Sequence, residues 1–149
     1  MTEAIIQMWK QNLGVDVTVQ QEETATFFSD VQQGKIQMYT EAWGADYPDP
    51  QDFLSLLSQS TSPYNNSGFK NAQFDALTRQ ADVMPHDSPA RFAKYRQAER
   101  IVLDDVANIM LDWGKHNVLI RPKVHGLTVT ALGGGSELTP ANWTDVTIR

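Results

Sequence analysis

The sequence has no cysteine, which excludes a disulfide framework, a thiolate zinc site and a thiol nucleophile. The absence is neutral about compartment, because a chain of 149 residues can build a core without covalent staples. Any apolar run of about 18 residues, the length that crosses a bilayer as a helix, is also missing. Basic residues are outnumbered, with 12 Lys plus Arg against 18 Asp plus Glu and a formal net charge of -6. That balance argues against a nucleic-acid partner, which needs a basic face for phosphates. It suits solubility and is compatible with a cationic ligand group. Met1-Thr2-Glu3-Ala4 carries no basic region and runs straight into a helical pattern, so no secretory leader is read there. On these grounds the chain is either cytoplasmic or a piece of a longer exported one.

What is present reads as a globular domain: 41% of residues are apolar and 20% charged, so disorder is not expected. Residues 1–149 are expected to form a single domain. Thr2 is placed to cap a helix carrying Ile5, Ile6, Trp9 and Leu13, which Gly14 stops. Val15, Val17 and Val19 alternate with polar residues, as in a strand with one buried face. Thr24 can cap a short helix ending at Gly34, and 36–42 reads as a second strand, giving a right-handed strand-helix-strand unit. Pro50 opens a helical segment with Phe53, Leu54 and Leu57; 60–70 is a loop; Asn71 caps a helix bearing Phe74, Leu77 and Ala81. Ser88-Pro89 opens the longest helix. Strands are expected again at 108–113 and 116–121, as a hairpin about Gly114-Lys115, then at 126–132 and 143–148. The fold class is α/β, a mixed sheet flanked by helices.

The segment that carries chemistry is Trp43-Gly44-Ala45-Asp46-Tyr47-Pro48-Asp49-Pro50. It follows the C-terminal end of the second expected strand, where ligands sit in open α/β sheets. It combines a ring, a glycine, a carboxylate and two prolines that stiffen the loop. Its aspartates differ in kind. Asp49 precedes Pro50 and fits a helix N-cap, and Asp52 falls in the first helical turn, so both have a structural explanation. Asp46 has no such job; it either bonds a local turn or contacts a ligand.

The chain resembles the extracellular solute-binding protein family 5, the oligopeptide, dipeptide and nickel-binding group of ABC importers. Trp9-Lys10-Gln11-Asn12-Leu13-Gly14-Val15 is similar to the family's "W-K-x-N-L-G-I" passage, and Trp43 to Pro50 to its "W-x-A-D-Y-x-D-P". The likeness continues through Asn71, Phe74 and Asp75, then Asp87, Arg91, Tyr95, Gln97, Ala98 and Glu99, to Val124-His125-Gly126. It implies the C-terminal lobe of a type II periplasmic-binding-protein-like fold, a fragment of a larger two-lobed protein that traps its solute between lobes. It implies a periplasmic or extracytoplasmic location, free or lipid-anchored in the full-length parent, and an ABC permease as partner. It also implies that Asp46 takes the α-ammonium group of a short peptide, with Trp43, Gly44 and Tyr47 beside it. The family also contains binders of nickel chelates, haem, glutathione and sugars, so a related small solute is the alternative. No cofactor, metal, catalytic residue or nucleic acid is expected, and a lobe separated from its partner is expected to form a homodimer.

Other readings are weaker. Glu41, Asp46 and Asp49 resemble the carboxylate set of a glycoside hydrolase, the enzyme alternative. His86, His116 and His125 lack metal-ligand spacing and read as turn or surface histidines. Arg91, Tyr95 and Glu99 lie along one helix face, as a permease-docking surface or, more simply, as local ion-pair and packing support. Trp113 either lines a cleft or belongs to the core. Gly133 to Gly135 match no phosphate loop.

Overall fold

The computed structural model describes residues 1–114, 117, 119–127 and 143–149. These fall into two compact units, residues 1–37 and 38–149.

The first unit holds two helices, α1 (Thr2–Leu13) and α2 (Thr24–Gln32). Gly14 ends α1 in the left-handed conformation at φ 68, returning its N–H to the Lys10 carbonyl, which only glycine does without strain. The N-caps lie one residue earlier than expected. Thr2 is already helical and Met1 is the cap, while Glu23 rather than Thr24 caps α2, its carboxylate accepting from Ala25 N and Thr26 N.

The second unit carries the core. A 3-10 turn at Pro50–Asp52 leads into the short α3 (Ser55–Ser58), then α4 (Ala72–Asp82) and α5 (Pro89–Asp104). Asn71 caps α4 through its side chain, which accepts from Gln73 N and Phe74 N. Phe74, Thr78 and Ala81 on α4 and Tyr95, Ala98 and Val102 on α5 are buried, at the helical spacing that puts each set on one face. The apolar cluster is Phe69, Phe74, Ala98 and Val102, bordered by Leu54, Leu77 and Ile101. The Phe69 and Phe74 rings meet edge-on with centroids 5.2 Å apart, a favoured aromatic geometry. Near the C-terminus β1 (Val124–His125) pairs antiparallel with β2 (Thr147–Ile148), Val124 opposite Ile148. Gly126 follows at φ 78, and a Cβ there would lie 2.0 Å from the Asp145 backbone oxygen, so no other residue fits.

Several expected strands are not formed. Residues 15–20, 36–42 and 108–113 have no strand. Alternation marks which side chains want cover, but a strand exists only when another strand takes its N–H and C=O groups. Among the described residues no such partner is present for these three stretches, and Val15, Val19, Ile109 and Met110 remain exposed. Trp113, a core or cleft candidate, is 79% exposed. Of the second hairpin arm, Lys115, His116 and Val118 lie outside the described residues, as do Gly133 to Gly135 and most of the expected strand at 126–132. The expected edge strand at 143–148 is a 3-10 turn, Trp143–Asp145, followed by the two residues of β2. Among the described residues no helix is long and apolar enough to cross a membrane.

Because Phe74 is fully buried at the contact of α4 with Phe69 and α5, Phe74→Ala is expected to destabilise the fold by about 3 to 5 kcal/mol, from lost burial plus the cavity left behind. Urea unfolding followed by circular dichroism measures this.

Candidate functional site

The loop of residues 43–52 is anchored at two carboxylates. Asp49 is buried and does three things at once. It caps the 3-10 turn, its Oδ1 accepting from Gln51 N at 2.9 Å. It takes a two-pronged ion pair from Arg91, with Nη1 to Oδ2 at 2.8 Å and Nη2 to Oδ1 at 2.7 Å. His86 Nε2 also stands 2.8 Å from Oδ2. Arg91 reaches across 42 residues of sequence to make this pair. It also donates to the Ala81 carbonyl, the Tyr95 hydroxyl and, at longer range, the His86 carbonyl, at 3.1, 3.2 and 3.5 Å. Tyr95 in turn donates to Asp82 Oδ1 at 2.6 Å, and Asp82 also accepts from Ser55 Oγ and Gln59 Nε2. A continuous polar layer thus ties the loop to α3, α4 and α5.

The hydrogen bonds from Arg91 hold the Asp49 carboxyl below the ordinary carboxylate value, against the opposing effect of burial. The same contact raises the Arg91 guanidinium above its usual value. Burial first, and the Asp82 hydrogen bond second, push the Tyr95 phenol well above the ordinary tyrosine range. Burial is also the leading cause of the upward shift of Tyr47, followed by the negative charge of Asp52. Both phenols are therefore neutral donors at physiological pH.

The second anchor is Asp52, which is fully buried. Its Oδ2 accepts the Trp43 indole N–H at 3.0 Å and the Asp46 backbone N–H at 3.1 Å. The Trp43 ring rests edge-on against Tyr64, with centroids 5.7 Å apart, and Tyr47 donates its hydroxyl to Gln51 Oε1 at 3.3 Å.

Against this frame the expected site residues take distinct positions. Asp46 is exposed, and no described residue makes a hydrogen bond or ion pair with its carboxylate. Gly44 is exposed, its φ is not positive, and an added Cβ would meet nothing within 4 Å. Neither backbone conformation nor internal packing demands a glycine there, so the open space beside its backbone is available to something from outside. Trp43 is half-buried, its polar edge occupied by Asp52. Tyr47 is exposed and lines an open depression of about 230 Å³ together with Gln51, Asp82, Met84 and His86. That depression borders the Asp49–Arg91 pair; Trp43, Gly44 and Asp46 are not part of its lining.

Three sequence readings change. Arg91 and Tyr95 do support one another locally at i,i+4, but they are buried rather than part of a helix-surface ladder and each also binds an acid distant in sequence, while Glu99 is exposed and outside the network. Asp52 does more than favour a helix start, since it holds the loop from six and nine residues away. Asp49 cannot serve as one of an acid–base pair, because its oxygens are occupied by Arg91 and its affinity for a proton is lowered. The Arg91 signal was present in the sequence as an arginine on the apolar face of α5, which needs a buried anion to be tolerated there. Among the described residues no group of histidines and carboxylates has the makings of a metal site. His86 is exposed and paired with Asp49 and Asp87, and His116 lies outside the described residues.

Residues 1–65 match the family model described as bacterial extracellular solute-binding proteins, family 5 Middle. The chain belongs to this family. It is 33% identical over 126 residues to the periplasmic murein peptide-binding protein MppA of Escherichia coli, a match covering 85% of this chain and 23% of that protein. It is 34% identical over 123 residues to the probable deoxycholate-binding periplasmic protein YgiS of the same organism, covering 83% and 23%. The solved structure of the Escherichia coli murein tripeptide binding protein MppA superposes with a TM-score of 0.65 at 36% identity, over 71% of this chain and 20% of that one. The fold is therefore that of the family, α/β, and the chain spans about a quarter of the length of the curated relatives it matches.

The lowered proton affinity of Asp49 fixes the sign of its pH effect. A carboxyl whose folded value lies below its ordinary 3.8 contributes stability that is fully present above the ordinary value and is lost as pH falls through the folded one. The stability of the chain is thus expected to decline steeply on acidification below about pH 4. In Asp49→Asn the stability at neutral pH should be lower and the acid limb flatter. Thermal melts of both chains between neutral pH and pH 2 test this.

Proposed function

We propose that this chain is part of the solute-binding component of an ABC importer, working outside the cytoplasm, and that its solute is a short peptide or a related small molecule with a positively charged end. The observation that carries this reading is the Asp46 carboxylate, exposed and unpartnered on a loop that is fixed on both sides. A charge held by a rigid support needs little reorganisation to meet an ammonium group, and a charge-assisted hydrogen bond to it is strong and directional. Trp43 offers a flat apolar surface beside it, Gly44 leaves room for a peptide backbone, and Tyr47 stands next in the chain.

The mechanism is capture without chemistry. Ligand-driven closure needs a solute that touches two lobes, since only differential contact shifts the equilibrium between open and closed forms. The relatives extend well beyond the stretch matched by this chain, and the rest of the groove and the permease-docking surface belong to that larger assembly. The relatives include both a murein peptide-binding protein and a probable deoxycholate-binding protein, which is why a related small molecule stands beside a peptide in this reading.

Two outcomes are expected. Tri-alanine added to the isotopically labelled chain should shift the NMR signals of residues 43–47 with a Kd on the order of millimolar, far weaker than a closed cleft achieves. N-acetylated tri-alanine, or the Asp46→Asn chain, should weaken the response roughly tenfold or more, the value of one charge-assisted hydrogen bond. Equal responses from all of these, or micromolar binding, would contradict the reading. Separately, the exposed apolar side chains Ile109, Met110, Leu111 and Trp113 should drive self-association into a homodimer. Sedimentation equilibrium showing only monomer at high concentration would refute that.

A further inference from the structure

We propose that Asp52 is the positioning residue of the ligand loop: one carboxylate oxygen fixes both the Trp43 ring and the backbone of Asp46. The proposal deepens the reading of Asp46 as the ammonium contact and rests on it for its functional part.

Three observations carry it. First, Asp52 is fully buried, yet its Oδ2 is spent on the loop that precedes it, accepting from Trp43 Nε1 at 3.0 Å and Asp46 N at 3.1 Å. A first-turn aspartate acting for its own turn would accept from the free N–H groups of that turn or from the N-cap N–H; here the turn is capped by Asp49, and the donors to Asp52 come from outside it. Second, Oδ1 of Asp52 is buried with no hydrogen-bond partner among the described residues. A sealed carboxylate oxygen without a donor costs stability, so an acid here is a poor choice for stability alone. Third, the two donors belong to the half-buried Trp43 and the exposed Asp46, both of the loop read as the ligand contact. The indole N–H is the only polar group of the Trp43 side chain, and tying it down, with Tyr64 against the ring, restricts the ring's orientation. Tying down the Asp46 N–H fixes the backbone from which its free carboxylate projects. A ligand meeting these two groups then finds them already at a set separation, which lowers the ordering cost of binding.

The test compares Asp52→Ala and Asp52→Asn with the unchanged chain, by hydrogen exchange and by the tri-alanine titration. In Asp52→Ala the Trp43 indole proton and the Asp46 amide should exchange at least tenfold faster, with the amides of α4 and α5 unchanged, and the Asp46 response to tri-alanine should weaken at least tenfold. Asp52→Asn, which keeps the shape and an acceptor oxygen, should hold the indole proton slow and keep the response within about threefold. A folded Asp52→Ala chain with slow Trp43 and Asp46 protons and an unchanged response overturns the proposal. If Asp52→Ala loses protection throughout α4 and α5, the asparagine chain decides: fast indole exchange with slow helix amides overturns the proposal, and slow indole exchange supports it. Should Asp46→Asn respond to tri-alanine as the unchanged chain does, the ammonium reading fails, while the exchange rates still report on Asp52.

Discussion

The Asp49–Arg91 pair is the contact on which the second unit is organised. Two buried groups of opposite charge meet through two short parallel hydrogen bonds, a geometry specific to guanidinium and carboxylate. Desolvation makes each charge expensive alone, and removing one partner of such a pair typically costs about 3 to 5 kcal/mol. The pair therefore works less as net stabilisation than as a constraint. It accepts one arrangement of the 43–52 loop against α5 and rejects others, because any slip leaves a buried charge unmet.

The network around the pair extends that constraint. Arg91 is also bound to the Ala81 carbonyl near the end of α4, and Tyr95 passes the connection to Asp82 and on to Ser55 and Gln59. In the apolar cluster Phe74 comes from α4, Ala98 and Val102 from α5, and Phe69 from the loop before α4. This cluster holds α4 against α5, and the polar layer tells the 43–52 loop where to sit on them. Proton affinities follow from this arrangement, with Asp49 lowered by the Arg91 hydrogen bonds and the Tyr95 phenol raised by burial.

On this support the loop separates two kinds of acid. Asp49 and Asp52 are buried and committed to holding structure, whereas Asp46, between Trp43 and the two of them in sequence, is exposed with its carboxylate uncommitted. The committed acids give the loop one conformation, and on the proposed reading the third is left to meet a solute. The open space at Gly44 fits the same division, being a place where the chain spends no side chain on itself.

The sequence by itself determined the local features. The Asn71 and Asp49 caps, the left-handed Gly14, the first-turn Pro50 and the helix pair α4–α5 were all readable, because each depends on residues within a turn or two of one another. The family, too, was legible in the order of its motifs, and Asp46 stood out as the acid of its loop without a capping role. Tertiary structure alone decided the rest. The Arg91 partner lies 42 residues away and the Asp52 contacts run backward across a loop, distances over which no periodicity speaks. The alternating stretch at 15–20 carries the pattern of a strand and forms none, since a strand is a property of two segments and its hydrogen-bonding groups need a neighbour that pattern cannot supply.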